Sequence, residues 1–173
     1  MAEALASEAP KVPERNVIPR KEQKVSYKDA TVHRYSAVGQ EYLVTLCTQS
    51  RTPKFENFSV ARATIGAMRH LEVQKLATIT AWVVMPDHLH LLLSLTCEKG
   101  LGHVVARLKI HSSRNAGMQI PWQKGFHERT LRSSDDRRDI ARYIILNPVR
   151  AGLVRSIRYY PHWDSVYLDS EYQ

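Results

Sequence analysis

The chain has 173 residues, 43% of them hydrophobic and 24% charged. That is enough apolar material for the core of one ordinary domain and too much for a wholly disordered chain. No apolar run approaches the ~20 residues of a membrane span, and the opening MAEALASEAPKVPERN lacks the charged start and apolar stretch of a secretory leader. Two distant cysteines, Cys47 and Cys97, fit a reducing cytoplasm and exclude a cysteine-rich zinc finger. The formal charge is +8, and residues 101–158 alone carry 12 basic against 4 acidic side chains. Such a concentrated surplus is the footprint of a polyanion binder, nucleic acid being the commonest case.

In chain order, residues 1–38 read as a tail: Pro10, Pro13 and Pro19 stand among alternating charges with few clustered apolar residues. A first strand is predicted over 41–49 (EYLVTLCTQ), β-branched and aromatic after Gly39. Ser59 is positioned to cap a helix over 60–71, with Val60, Ile65, Met68 and Leu71 near helical spacing. A second strand over 75–85 and a third over 88–95 are separated only by Pro86–Asp87, which makes them a hairpin. A helix over 101–114 follows, stopped by Gly117. A fourth strand is predicted over 126–131. A last helix starts at Ser134, its dipole complemented by Asp135, Asp136 and Asp139, and runs to about Asn147, where Pro148 ends it. This order predicts an α+β antiparallel sandwich of the split βαβ kind, a single domain over 39–165 with a short tail at 166–173.

Two features carry chemistry. In MPDHLHLLL, strand alternation puts His88, His90, Leu92 and Ser94 on one side and Leu89, Leu91, Leu93 and Leu95 on the other. The leucine side must pack on helices, which leaves the histidine side as an open, wet face. Imidazoles at i and i+2 form a bidentate platform for a divalent metal, although alone they lack a third ligand. In ARYIILNPVRAGLV, Tyr143 and Asn147 stand one helical turn apart on one face. If that helix lies beside the open sheet face, the Asn147 oxygen completes a His, His, Asn site for Mg²⁺ or Mn²⁺, with the phenol one turn away. A phenol of pKa ~10 is a weak nucleophile, so attack needs an electropositive site and a phosphate held by the metal.

The strand bearing His88, Leu89 and His90, with a tyrosine helix downstream, resembles the HUH endonuclease superfamily. More narrowly, VVMPDHLHLLL, LKIHSSR, WQKGFHERTLR and RYIILNPVRAGLV, in that order, resemble the REP-associated tyrosine transposases. The resemblance covers about residues 39–165. It implies a ferredoxin-like fold with helices on one face of an antiparallel sheet and an open DNA-binding face. It implies a metal-dependent enzyme that cleaves and rejoins single-stranded DNA at palindromic repeat hairpins. Tyr143 would form a 5′-phosphotyrosine, with His88, His90 and Asn147 as ligands of Mg²⁺ or Mn²⁺. Lys109, Arg114, Arg129, Arg132, Arg142 and Arg150 are the phosphate-contact candidates. His127 is an auxiliary candidate within a matching block, and Trp122 a base-stacking one, although a packing anchor is its simpler role. The implied setting is the cytoplasm, on the nucleoid, with a monomer expected and a homodimer as the alternative. Two other readings use the same residues: a module that binds single-stranded or hairpin nucleic acid without cutting, and a metal-dependent phosphodiesterase or zinc protein using water, which would leave Tyr143 without a task. No GxxxxGK[ST], GxSxG or HExxH pattern occurs.

Overall fold

The computed structural model describes residues 36–167; most of the two predicted tails lies outside them. Five antiparallel strands form one sheet in the order β4-β1-β3-β2-β5: β1 Glu41–Cys47, β2 Ala77–Met85, β3 His88–Leu95, β4 His127–Thr130 and β5 Trp163–Ser165. Helix α1 (Phe58–Val73) joins β1 to β2, and α2 (Gly100–Asn115) joins β3 to β4. Because β3 inserts between β1 and β2, the connectivity is the split βαβ arrangement expected from the sequence.

The leucines of β3 explain the layering. Leu89, Leu91, Leu93 and Leu95 are at most 1% exposed and share a core with Val60, Ile65, Met68 and Leu71 of α1 and with Leu101, Val104, Val105 and Leu108 of α2. Each buried leucine contributes roughly 1.5–3 kcal/mol of transfer free energy. The opposite face is open only in part. Helix α3 (Arg137–Ile145) seats Ala141, Ile144 and Ile145 against Ala81, Val83, Met85 and Leu92 of that face, forming a second, smaller core. Helices therefore lie on both faces, α1 and α2 on one and α3 on the other.

Several boundaries differ from the sequence expectation for local reasons. Strand β1 ends at Cys47, because Thr48 turns its N–H and its hydroxyl onto the Asp87 carbonyl (2.9 Å each). Asn57, not Ser59, caps α1, accepting from Ser59 N and Val60 N. Asp136, not Ser134, caps α3 through the amides of Arg138 and Asp139. The last helix also breaks early: α3 stops at Ile145 and a separate turn, α4 (Asn147–Arg150), begins. Pro148 has no N–H for the Ile144 carbonyl, so the chain cannot continue one helix through it. The short strand β5, in the chain after Pro161, was not foreseen; three residues carry too little alternation to be read.

Candidate active site

Alternation along β3 sets His88 and His90 beside Leu92, on the sheet face that seats α3. Their rings are 4.8 Å apart, nearly perpendicular at 88°. Each Nδ1 has a partner. The Asp87 carboxylate lies 2.5 Å from His88 Nδ1, and the Thr45 hydroxyl 2.8 Å from His90 Nδ1. A carboxylate only accepts, so the His88 Nδ1 carries the hydrogen and its Nε2 lone pair is left for a ligand. Thr45 is directly opposite His90 across β1, and Cys47 opposite His88. His90 is pushed down to about 4, first by burial and then by the positive charge of His88, Arg150 and Arg51. Near neutral pH it is an unprotonated imidazole, the form that binds metals.

Tyr143 projects from α3 and is 54% exposed. It lines an open hollow of about 370 Å³ with Leu43 of β1, Arg129 of β4, and Asp139 and Ile140 of its own helix. The Arg150 guanidinium lies 4.1 Å over the phenol ring and also donates to the Tyr143 carbonyl. The same charge bears on His90, so Arg150 electrostatically links the tyrosine with the imidazoles. Asn147 opens α4 instead of continuing α3. Its amide nitrogen donates to the carbonyls of Tyr143 (3.1 Å) and Ile144 (2.9 Å), the groups that the break orphans. With the nitrogen so engaged, the Oδ1 is the free end of the carboxamide.

Two imidazoles with their inner nitrogens held by partners are donors of a kind a divalent cation takes, and Asn147 offers an amide oxygen whose own nitrogen is occupied. Among the described residues no cluster of three or more His, Cys, Asp or Glu could hold a metal.

Residues 36–145 match the family described as IS200-like transposase. The chain belongs to that family. It is 33% identical over 86 residues to the REP-associated tyrosine transposase of Escherichia coli (strain K12), across 48% of this chain and 51% of that protein. The match thus spans about half the length of this curated relative. A solved REP-associated tyrosine transposase bound to a REP hairpin superposes with a TM-score of 0.63 at 25% identity, over 75% of this chain and 79% of that one. Among the described residues no helix is long and apolar enough to cross a membrane.

The remaining candidates of this IS200-like chain divide by sheet face. Arg129, Arg142 and Arg150 lie on the α3 side. Arg129 pairs with Asp135 and Arg142 with Asp139, both at 2.8 Å, while Arg132 shares a shallow hollow with Arg129 and Asp135. His127, exposed on β4, stands in the same cross-strand row as Thr45 and His90, one strand further out. Lys109 and Arg114 are instead on α2, across the sheet. Lys109 spends two of its N–H donors on the carbonyls of Gln123 (2.7 Å) and Gly125 (2.9 Å). Trp122 packs on Phe55, ring centroids 5.3 Å apart, and borders the main core; the packing role is thus present.

Three residues of the site were not singled out from sequence: Asp87, Thr45 and Arg51. Asp87 was legible as the residue before His88. Thr45 needs the β1–β3 register. Arg51 is held by a turn in which Ser50 (φ 53°) and Arg51 (φ 54°) are both left-handed. From there its Nε reaches Asp87 at 3.4 Å and its guanidinium donates to Cys47 Sγ at 3.3 Å. Consecutive left-handed non-glycine residues persist only where their surroundings over-determine them.

Proposed function

We propose that this protein is a divalent-metal-dependent single-stranded DNA endonuclease and strand transferase, acting at palindromic repeats that fold into hairpins. The observation that carries this reading is one sheet face bearing two imidazoles with engaged Nδ1 atoms and, on the helix seated there, an exposed tyrosine beneath a guanidinium. Family membership and a relative bound to a REP hairpin support the substrate.

His88, His90 and Asn147 would hold Mg²⁺ or Mn²⁺, which when bound supplies Lewis-acid polarisation of the scissile phosphate. The chain's own residues do the rest. Asp87 and Thr45 fix the imidazoles. Arg150 and Arg129 flank Tyr143 with positive charge where phosphate oxygens must settle. The Tyr143 oxygen attacks phosphorus, the bond from phosphorus to the 3′ oxygen breaks, the phenol loses its proton and the departing oxygen gains one. The products are a 5′-phosphotyrosine and a 3′ hydroxyl. A second 3′ hydroxyl reverses the step and rejoins the strand, so no external energy source is required.

The test incubates the purified protein with labelled hairpin DNA from the repeats flanking its own gene, with and without Mg²⁺ or Mn²⁺. A metal-dependent covalent band on a denaturing gel is expected, absent from Tyr143→Phe, which still binds the DNA. Binding without an adduct under either metal would replace the enzyme by a non-cutting hairpin module. An adduct persisting in Tyr143→Phe would remove the nucleophile assignment.

A further inference from the structure

On the side of the sheet away from Tyr143, a groove of about 830 Å³ runs between the C-terminal half of α2 and the segment 117–124. Among the described residues its lining contains Lys109, Arg114 and Lys124 and no carboxylate. Ile110 and Met118 in its walls are 58% and 43% exposed, and the Trp122 indole, Gln119 and Gln123 complete the surface. Both walls are tied together: Ser113 Oγ accepts from Ile120 N (3.1 Å), Lys109 holds the carbonyls of Gln123 and Gly125, and Trp122 packs on Phe55. The groove is therefore preformed.

The groove is continuous with the catalytic corner. Residues 120–123 extend the end of β1 that carries Cys47: Gln123 N donates to the Cys47 carbonyl (2.9 Å), Gln49 N to the Pro121 carbonyl (2.5 Å), and Thr48 bridges to Trp122. The left-handed turn Gln49–Arg51 belongs to both places. Gln49 lines the groove, and Arg51, two residues on, reaches the Asp87 that holds His88.

We propose that this groove is a second subsite for the single-stranded part of the DNA, which passes round the Gln49–Arg51 corner from the histidine face onto α2. This rests on the DNA-cleaving reading above. Single-strand sites combine a positive groove for the phosphates with apolar or aromatic surfaces for base faces, and Arg114 and Lys124 supply the first, Ile110, Met118 and Trp122 the second. A protein partner suits the groove less well than nucleic acid, because every charged side chain in the described lining is basic, the complement of a phosphate backbone.

The test uses the full chain and a hairpin oligonucleotide carrying thymidine tails, from none to roughly a dozen, on either end. The quantity read is each protein's ratio of affinities with and without the tail. For the native chain the tail is expected to improve affinity roughly tenfold or more. In Arg114→Glu with Lys124→Glu, both exposed residues, the ratio is expected to fall to near one, with the salt slope for tailed DNA smaller by at least ~1.4. A ratio equal to the native one overturns the groove assignment and leaves the cleavage reading standing on its own adduct test. No DNA binding by the native chain overturns both. An independent readout needs no variant. With 5-bromodeoxyuridine in the tail, ultraviolet crosslinks are expected in peptides covering residues 110–124. Crosslinks confined to the α3 side overturn the proposal.

Discussion

Two imidazole pairs lie on opposite sides of one sheet, and their nitrogens are treated differently. On the α3 side, the rings of His88 and His90 meet edge to face at 4.8 Å, each Nδ1 engaged by a neighbouring side chain. On the α1–α2 side, His70 and His111 lie closer, 4.0 Å apart and tilted by 42°, between two packed helices. There His111 is only 9% exposed, and its buried Nε2 has no hydrogen-bond partner among the described residues. A short ring separation therefore does not distinguish the proposed ligand pair from a packing pair. What distinguishes them is whether the inner nitrogen is held so that the outer one is presented.

The largest expected effect breaks this comparison directly. His88→Ala with His90→Ala should lower adduct formation by about a thousandfold or more, with little change in melting temperature, because neither ring fills the main core. His70→Leu with His111→Leu should leave the adduct rate alone and hold or raise the melting temperature, since it removes a buried unsatisfied nitrogen. Adduct gels and thermal melts on both variants decide it. If the second pair also loses activity, the division between a reactive and a packing face is wrong.

A second contrast uses neighbouring leucines of β3 that point to opposite faces and are both fully buried. Leu91→Ala opens a cavity in the larger core and should cost about 2–5 kcal/mol while preserving the adduct rate per folded molecule. Leu92→Ala undermines the seat of α3, so it should lower stability and also lower that rate, because Tyr143 rides on the same helix. Denaturant melts paired with adduct rates test this; equal rates in the two variants would show that the seat of α3 does not position the tyrosine.

How far the sequence could be read follows the same division. The alternation of HLHLLLSL separated the two faces correctly, because a strand with one fully buried face has a strongly specified register. The split βαβ order followed from the hairpin at Pro86–Asp87 and from the helices on either side of it. The seating of a helix on the histidine face entered only as a condition, because the apolar positions of 137–145 do not say which surface they will meet. Pro148 announces the end of the helix but not the new turn that opens at Asn147, because a proline in the second position suits that turn as well as it ends the old one. Thr45 and Arg51 were invisible for different reasons. One depends on cross-strand register, the other on two left-handed residues that nothing in QSR announces.

Asp87→Asn offers a finer test of what holding an imidazole is worth. The amide keeps the shape but removes the acceptor-only carboxylate that fixes the His88 hydrogen on Nδ1. Affinity for Mn²⁺, measured by titration calorimetry without DNA, is expected to fall about 10–100-fold, and nitrogen-15 spectra of His88 should show mixed tautomers. The corresponding His70→Gln change on the other face should leave Mn²⁺ affinity unchanged. An unchanged affinity in Asp87→Asn would mean that the aspartate matters only through its ion pair with Arg51.

The smallest expected effect lies in the acid response of the packing pair. Burial first, then the positive charge of His70 on α1 and of Arg107 and Arg114 on α2, holds His111 below its usual 6.5. The unfolded chain therefore takes up a proton as the pH falls below 6.5, while the folded chain resists until a lower pH. This group's contribution is complete above 6.5 and declines as the pH drops through the folded value. His90 and His162, both lowered by burial, act in the same direction and are common to the native chain and to His111→Leu. The difference between their stability curves therefore reports His111 together with its coupling to His70. Urea melts stepped from pH 7.5 to about pH 5 should show the variant losing less stability than the native chain towards the acid end. Parallel curves would show that His111 finds a proton acceptor in the folded protein. The α1–α2 seam would then be a hydrogen-bonded contact, and the two imidazole pairs would differ less than their surroundings imply.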